Sequence, residues 1–186
     1  ALEQYYIIDQ PRTVRLGPLD VTIDPQMLGR PYLERADVAV LQVIKDWLGT
    51  RPIYFSRTIG LYGDQFGLTP RLEGHGFARR LRPYALTPSD SIRAVASLGY
   101  VNIPRTTALL FDVYHAEAAA RERPRGWVDE PSEGILSLYG LMYYALAAEL
   151  QATQPTLALQ AQAVAQAVFR NTATTAFQPL PEQPSP

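Results

Sequence analysis

The stretch Arg51-Pro52-Ile53-Tyr54-Phe55-Ser56 decides the fold, because it is entered directly from a helical pattern that closes at Gly49. Ile53, Tyr54 and Phe55 form a short continuous apolar run behind a proline, the pattern of the first residues of a buried strand. Upstream, Val40, Leu41, Ile44, Trp47 and Leu48 recur at the spacing of one helix face from Asp37 onward, and Gly49 suits a left-handed C-cap. A helix followed at once by a strand implies a layer of helix against sheet.

Working outward toward the N-terminus, Tyr5 to Ile8 is a β-rich run. Val14/Leu16 and Val21/Ile23 alternate with polar residues around Gly17-Pro18, which predicts a half-buried hairpin. Toward the C-terminus, glycines at 60, 63, 67, 74 and 76 precede a strand from Phe77 to Tyr84 that carries Arg79, Arg80 and Arg82. Alternation puts Arg80 and Arg82 on one face and Arg79 on the other, as on a charged edge strand. Ser89 to Leu98 reads as a short helix capped by Ser89 or Asp90. Thr106 to Arg123 reads as a helix with Leu109, Leu110 and Val113 inward, ended by Pro124.

The last segment reads as a helical hairpin. Ser132 caps a first helix with Ile135, Leu138, Tyr139, Met142, Leu146 and Leu150 on one face, Gln154-Pro155-Thr156 turns the chain, and an alanine-rich second helix runs to about Arg170. The pair has the length of one tetratricopeptide-like unit. The expected architecture is α+β: a small sheet with packed helices over 1–130, the hairpin over 131–175, and a proline-rich extended tail over 176–186.

Composition bounds the chemistry. Of 186 residues, 47% are hydrophobic and 19% charged, enough to bury a core, and the net charge of −1 argues against a nucleic-acid binder. There is no cysteine, so thiolate metal sites, disulfides and cysteine nucleophiles are excluded. Sixteen of the 17 basic residues are arginine and Lys45 is the single lysine, a bias that reads mainly as genomic composition. The longest uncharged apolar stretch, Gly134 to Ala148, is too short to span a bilayer, which needs about 20 residues. No secretory leader pattern is present.

The glycines at 60, 63 and 67 match neither the dinucleotide nor the Walker pattern, and no Gly-x-Ser-x-Gly elbow occurs. His75 and His115 lie forty residues apart without metal-ligand spacing, and His75 reads as a turn histidine between two glycines. Glu130 with Glu133, or Asp112 with Glu117, can be drawn as acid/base pairs, but eighteen carboxylates produce such pairs by chance. No catalytic residue, cofactor or metal is therefore assigned. The candidate interaction residues are the aromatic and proline positions Tyr139, Met142, Tyr143, Trp127, Pro179 and Pro181, because such side chains concentrate in binding cores.

The helix with its Arg51 to Ser56 strand, followed by "GLTPRLEGHGFARRLRP" at Gly67 to Pro83, resembles the C-terminal soluble region of a bacterial family of multi-spanning membrane proteins. These are similar to protein O-mannosyltransferases of the GT-C glycosyltransferase class. "RPRGWVDEPSEGILSLYGLMYYAL" at Arg123 to Leu146 resembles the same region. The resemblance covers residues 5 to 175, most specifically 36 to 83. It implies an extracytoplasmic, periplasmic location beside a membrane. The family's presumed catalytic acids lie in its membrane part, so none is carried over here. The expected function is a non-catalytic accessory domain docking onto membrane-complex subunits, such as those of a respiratory or photosynthetic assembly. The alternative is the acceptor- or glycan-binding tail of a GT-C-like enzyme, with a groove lined by Tyr62, Phe66 and Trp127.

Overall fold

The computed structural model describes residues 6–96, 98–116, 120–121 and 128–172. It divides into two units, Ala1–Asn102 and Ile103–Pro186.

In the first unit, β1 (Tyr6–Ile7) pairs antiparallel with β4 (Tyr32–Leu33). The predicted hairpin is present as β2 (Arg12–Leu16) and β3 (Leu19–Ile23), in register from Arg12↔Ile23 to Leu16↔Leu19. Gly17 makes the turn at φ 58°. Leu19, Val21 and Ile23 are buried and their neighbours exposed, the period of two that the sequence carries. A short helix, α1 (Pro25–Leu28), is capped by Asp24.

Helix α2 (Arg35–Trp47) starts two residues before Asp37 and is followed by Gly49 at φ 103°, the left-handed conformation glycine adopts freely. Leu41, Ile44 and Leu48 are buried, as expected. Trp47 is not: it is 42% exposed, and the Arg51 guanidinium lies over its ring at 4.3 Å from the centroid.

The main sheet has five strands in the order β5-β7-β6-β9-β8. These are β5 (Tyr54–Ser56), β6 (Leu72–His75), β7 (Ala78–Leu81), β8 (Ile92–Val95) and β9 (Gly99–Asn102). Pairing is antiparallel except between β6 and β9, which run parallel with Glu73↔Tyr100 and Gly74↔Val101. The short helix α3 (Tyr62–Gln65) lies in the connection from β5 to β6.

Three expectations are corrected here. The Tyr54–Ser56 strand is an edge strand that buries only Phe55, while Tyr54 is 49% exposed; three apolar residues in a row cannot all face inward when only one side of the sheet is covered at that point. Strand β7 is not an edge but lies between β5 and β6; Arg79 within it pairs with Asp64, and Arg82 just past it pairs with Glu73. The Ser89–Leu98 segment contains strand β8 rather than a helix: Ser89 exchanges hydrogen bonds with Ile92, its N–H donating to the Ile92 carbonyl at 2.8 Å and its Oγ accepting from the Ile92 N–H at 3.1 Å. That side-chain turn competes with helix initiation.

One face of the sheet belongs to the unit's core. Phe55, Leu72 and Leu81 join Leu16, Leu19, Val21, Ile23, Leu41, Ile44, Leu48, Phe66 and Leu68 in one buried cluster.

The second unit begins with α4 (Ile103–Ala108), which widens into a π turn over Leu109–Val113. Leu110 is fully buried, but Val113 is 57% exposed, so the wider turn rotates Val113 off the inward face expected for it. The helical run is broken at His115, at φ 47°; beyond it Ala120 is again helical, its N–H donating to the Ala116 carbonyl at 3.0 Å, and the rest of the expected helix to Arg123, apart from Ala116 and Arg121, lies outside the described residues. Helices α5 (Glu130–Leu150) and α6 (Pro155–Arg170) pack on each other. The cap of α5 is Asp129, which accepts from the Ser132 N–H at 2.8 Å, with Pro131 in the first turn. The α6 face is Ala158, Ala161, Ala165 and Val168, all buried. The close crossing is visible at Gly140, where a Cβ would come within 2.5 Å of the Phe169 ring.

The strand assignment has a measurable consequence. Phe55→Ala is expected to cost about 3–5 kcal/mol in denaturant unfolding, whereas Tyr54→Ala stays within about 1 kcal/mol. Equal losses at the two positions would contradict the alternation described.

Candidate functional site

Because β6 alternates, Leu72 and Gly74 face the core and Glu73 and His75 face the other side. Glu73 is 1% exposed, and a buried carboxylate is tolerated only when its oxygens are saturated by donors. Its Oε2 accepts from Arg82 Nε, and its Oε1 accepts from Asn102 Nδ2 at 2.7 Å. His75 Nε2 lies 3.2 Å from Oε1, close enough for attraction but outside good hydrogen-bond alignment. The His75 ring stands edge-on to Tyr54, with centroids 5.9 Å apart. Burial alone would raise the Glu73 pKa. The bonds from Arg82 and Asn102 outweigh it and hold the group down at about 2.

A second buried carboxylate sits at the start of α2. Asp37 is 1% exposed and accepts from the Glu34 N–H at 2.8 Å, from Arg30 Nη2 at 2.5 Å and from the Tyr62 hydroxyl at 2.8 Å. Burial pushes its pKa up, but the Arg30, Glu34 and Tyr62 bonds prevail and it lies below the ordinary value. Tyr62 is correspondingly raised, first by burial and then by its bond to Asp37.

A third cluster lies on the core side of the sheet. Arg79, 7% exposed, donates from Nη1 to Asp64 Oδ2 at 2.6 Å and from Nη2 to the Gly60 carbonyl at 2.9 Å. Arg57 donates from Nε to the Gly76 carbonyl at 3.1 Å and from Nη2 to the Leu98 carbonyl at 3.2 Å.

The sequence-nominated residues are scattered. Met142 and Tyr143 are 1% and 2% exposed, and the Tyr143 hydroxyl donates to the Leu110 carbonyl while its ring packs edge-on to Phe111. Both are interior side chains of the second unit and offer no surface to a partner; a tyrosine on an all-round apolar helix reads the same whether it faces a partner or its own core. Tyr139 is half-buried. Of the two expected glycan-groove residues that are described, Phe66 is completely buried, and Tyr62 stacks edge-on to it at 5.2 Å with its hydroxyl committed to Asp37. Trp127, Pro179 and Pro181 lie outside the described residues, as do Glu117 and the Glu130 side chain. Asp112 is exposed. Among the described residues no group of three His, Asp or Glu side chains is arranged to hold a metal ion. No helix of the described residues is long and apolar enough to cross a membrane.

Sequence reasoning missed Glu73, Asp37 and Asp64. For Glu73 the shared face with Arg80 and Arg82 follows only from the β6–β7 register, Glu73↔Arg80. For Asp37, which joins Arg30 and the Glu34 N–H to Tyr62 25 residues on, and for Asp64, whose arginine lies 15 residues away, no spacing rule marks the full set of partners.

No family model, curated protein or solved structure matches this chain.

Glu73→Gln leaves Arg82 without its carboxylate, and unfolding in urea at pH 7 is expected to show a loss of about 3–5 kcal/mol. The folded pKa of Glu73 is depressed, so its contribution is present above the unfolded value and disappears as pH falls from 4.5 toward about 2. Wild-type stability should decline through that window more steeply than that of Glu73→Gln. Identical pH profiles for the two proteins would refute the assignment.

Proposed function

We propose that this chain is a non-catalytic, extracytoplasmic accessory domain that docks onto a membrane protein complex. The observation that carries the reading is the outer side of α2. Ala36, Ala39, Val43 and Trp47 recur at helical spacing and are exposed, although the opposite face of the same helix already supplies Leu41 and Ile44 to the core. Val43 is 49% and Trp47 42% exposed. A helix that is apolar on two faces is suited to being covered on both. Tryptophan is also among the residues that dominate binding hot spots.

The buried ionisable groups support the same reading. Glu73 and Asp37 are saturated by arginine, amide, backbone and hydroxyl donors, an arrangement that holds a sheet and a helix in place. The location beside a membrane rests on the resemblance of the Arg51–Ser56 and Gly67–Pro83 segments to the soluble region of GT-C-like membrane proteins. Within this reading the α5–α6 pair serves as a tetratricopeptide-like unit, and the docking surface moves from the interior residues Met142 and Tyr143 to Val43 and Trp47.

The test is to add the full chain to detergent-solubilised native membranes and fractionate by size. The wild type is expected to co-migrate with a membrane protein. Val43→Glu/Trp47→Glu should unfold within about 1 kcal/mol of wild type and run alone. Wild type emerging as a 20.7 kDa monomer, with no membrane protein beside it, would overturn the proposal.

A further inference from the structure

Among the described residues, the core-side cluster of the sheet sets two guanidiniums against one carboxylate. Phe55 pairs with Arg79 across β5 and β7, and the Arg57 N–H donates to the Phe77 carbonyl at 2.9 Å, so the pairing continues one step past the strand. By alternation, Phe55, Arg57, Gly74 and Arg79 share one face. The Arg57 guanidinium lies over Gly74, where a Cβ would come 2.6 Å from Nη2; glycine is what leaves room for it. Two guanidiniums therefore sit on one patch of sheet with one carboxylate, Asp64, and Asp64 is in direct contact with Arg79.

The charged neighbours acting on Arg57 are Arg79, which opposes its charge, and Asp64, which favours it. Burial, followed by repulsion from Arg79, pushes Arg57 down to about 10. Its hydrogen bonds among the described residues go to neutral backbone carbonyls, from Nε to Gly76 and from Nη2 to Leu98. Arg79 Nε is buried and lacks an acceptor. A buried donor without a partner is costly, and an uncompensated buried cation more so.

We propose that Arg57 and Arg79 form a binding site for a phosphate-type oxyanion, which supplies the missing negative charge and accepts from the unpartnered Arg79 Nε–H. Arginine suits this role because its planar fork matches phosphate oxygens. Two separate guanidiniums have to be bridged, and a tetrahedral anion with oxygens pointing in several directions does this better than a flat carboxylate. Gly60 and Gly76, whose carbonyls hold the other guanidinium N–H groups, keep both arginines oriented without adding side chains of their own. The site is independent of the α2 surface.

The experiment is thermal unfolding of the full chain with inorganic phosphate replacing chloride at constant ionic strength and pH. The wild-type midpoint is expected to rise saturably, by about 4 °C or more. Arg57→Gln should flatten that response. Asp64→Asn, which removes the one internal carboxylate, should melt earlier in chloride and be restored by phosphate. If Arg57→Gln does not fold, the Asp64→Asn titration decides. Co-sedimentation with phosphatidate vesicles separates the sources of the oxyanion. Pelleting of wild type but not of Arg57→Gln identifies a lipid headgroup, and a saturating phosphate titration without pelleting identifies a soluble phosphate. The proposal is overturned if phosphate and chloride give the same wild-type midpoint, or if the Asp64→Asn deficit is equal in the two salts.

Discussion

The buried carboxylate of Glu73 is the constraint around which the first unit is arranged. It lies on the middle strand of the five and reaches both neighbours, Arg82 just past β7 and Asn102 at the end of β9. A slip of one residue in β6 would turn Glu73 toward Phe55 and Leu81 and Leu72 away from them, burying a charge among hydrocarbon. The sheet therefore has one register in which both the charge and the core are satisfied. Arg82 and Asn102 are not simply stabilising contacts, since replacing such a pair by apolar residues is often neutral; their effect is to penalise the wrong alignments.

Much of this arrangement is legible in the residues and some is not. The β2–β3 hairpin and the α2 helix follow from short-range patterns, alternation about Gly17-Pro18 and a helical face closed by Gly49, and both form where expected. Strand β8 was hidden because Ile92 to Val95 has no alternation strong enough to compete with a plausible helix cap at Ser89. The status of β7 as an inner strand depends on β5, which approaches from more than twenty residues away, and local composition cannot show it. The exposure of Trp47 is another case: an aromatic at the boundary of the apolar face is equally consistent with core and surface, and the Arg51 guanidinium above the ring decides in favour of the surface.

The arginine bias takes on a different meaning once the charges are placed. Composition made it look genomic, yet Arg30, Arg57, Arg79 and Arg82 each hold more than one acceptor or a buried carboxylate in the first unit. A lysine ammonium in these places would lose the fixed fork and be more easily discharged. The candidate sites were hardly legible for the same reason: each joins an acidic residue to a basic one outside helical or strand neighbour spacing, and no spacing rule links them. The aromatic residues that looked functional, Tyr143 and Phe66, are the interior of their own units.

The parallel pairing of β6 with β9 divides the sheet into two locally built pieces. β6–β7 and β8–β9 are hairpins that each close over a few residues, while the line joining them has two registered residue pairs, supported by Asn102 on Glu73 and by Arg57 on the Leu98 carbonyl. That line has the fewest registered pairs in the sheet, two against three or four elsewhere. The native protein thus has a preferred order of coming apart, with the β8–β9 hairpin as a cooperative unit of its own and the β5-β7-β6 block persisting without it. The same line sets the order of assembly, since the hairpins can form before the longer loop between them is closed.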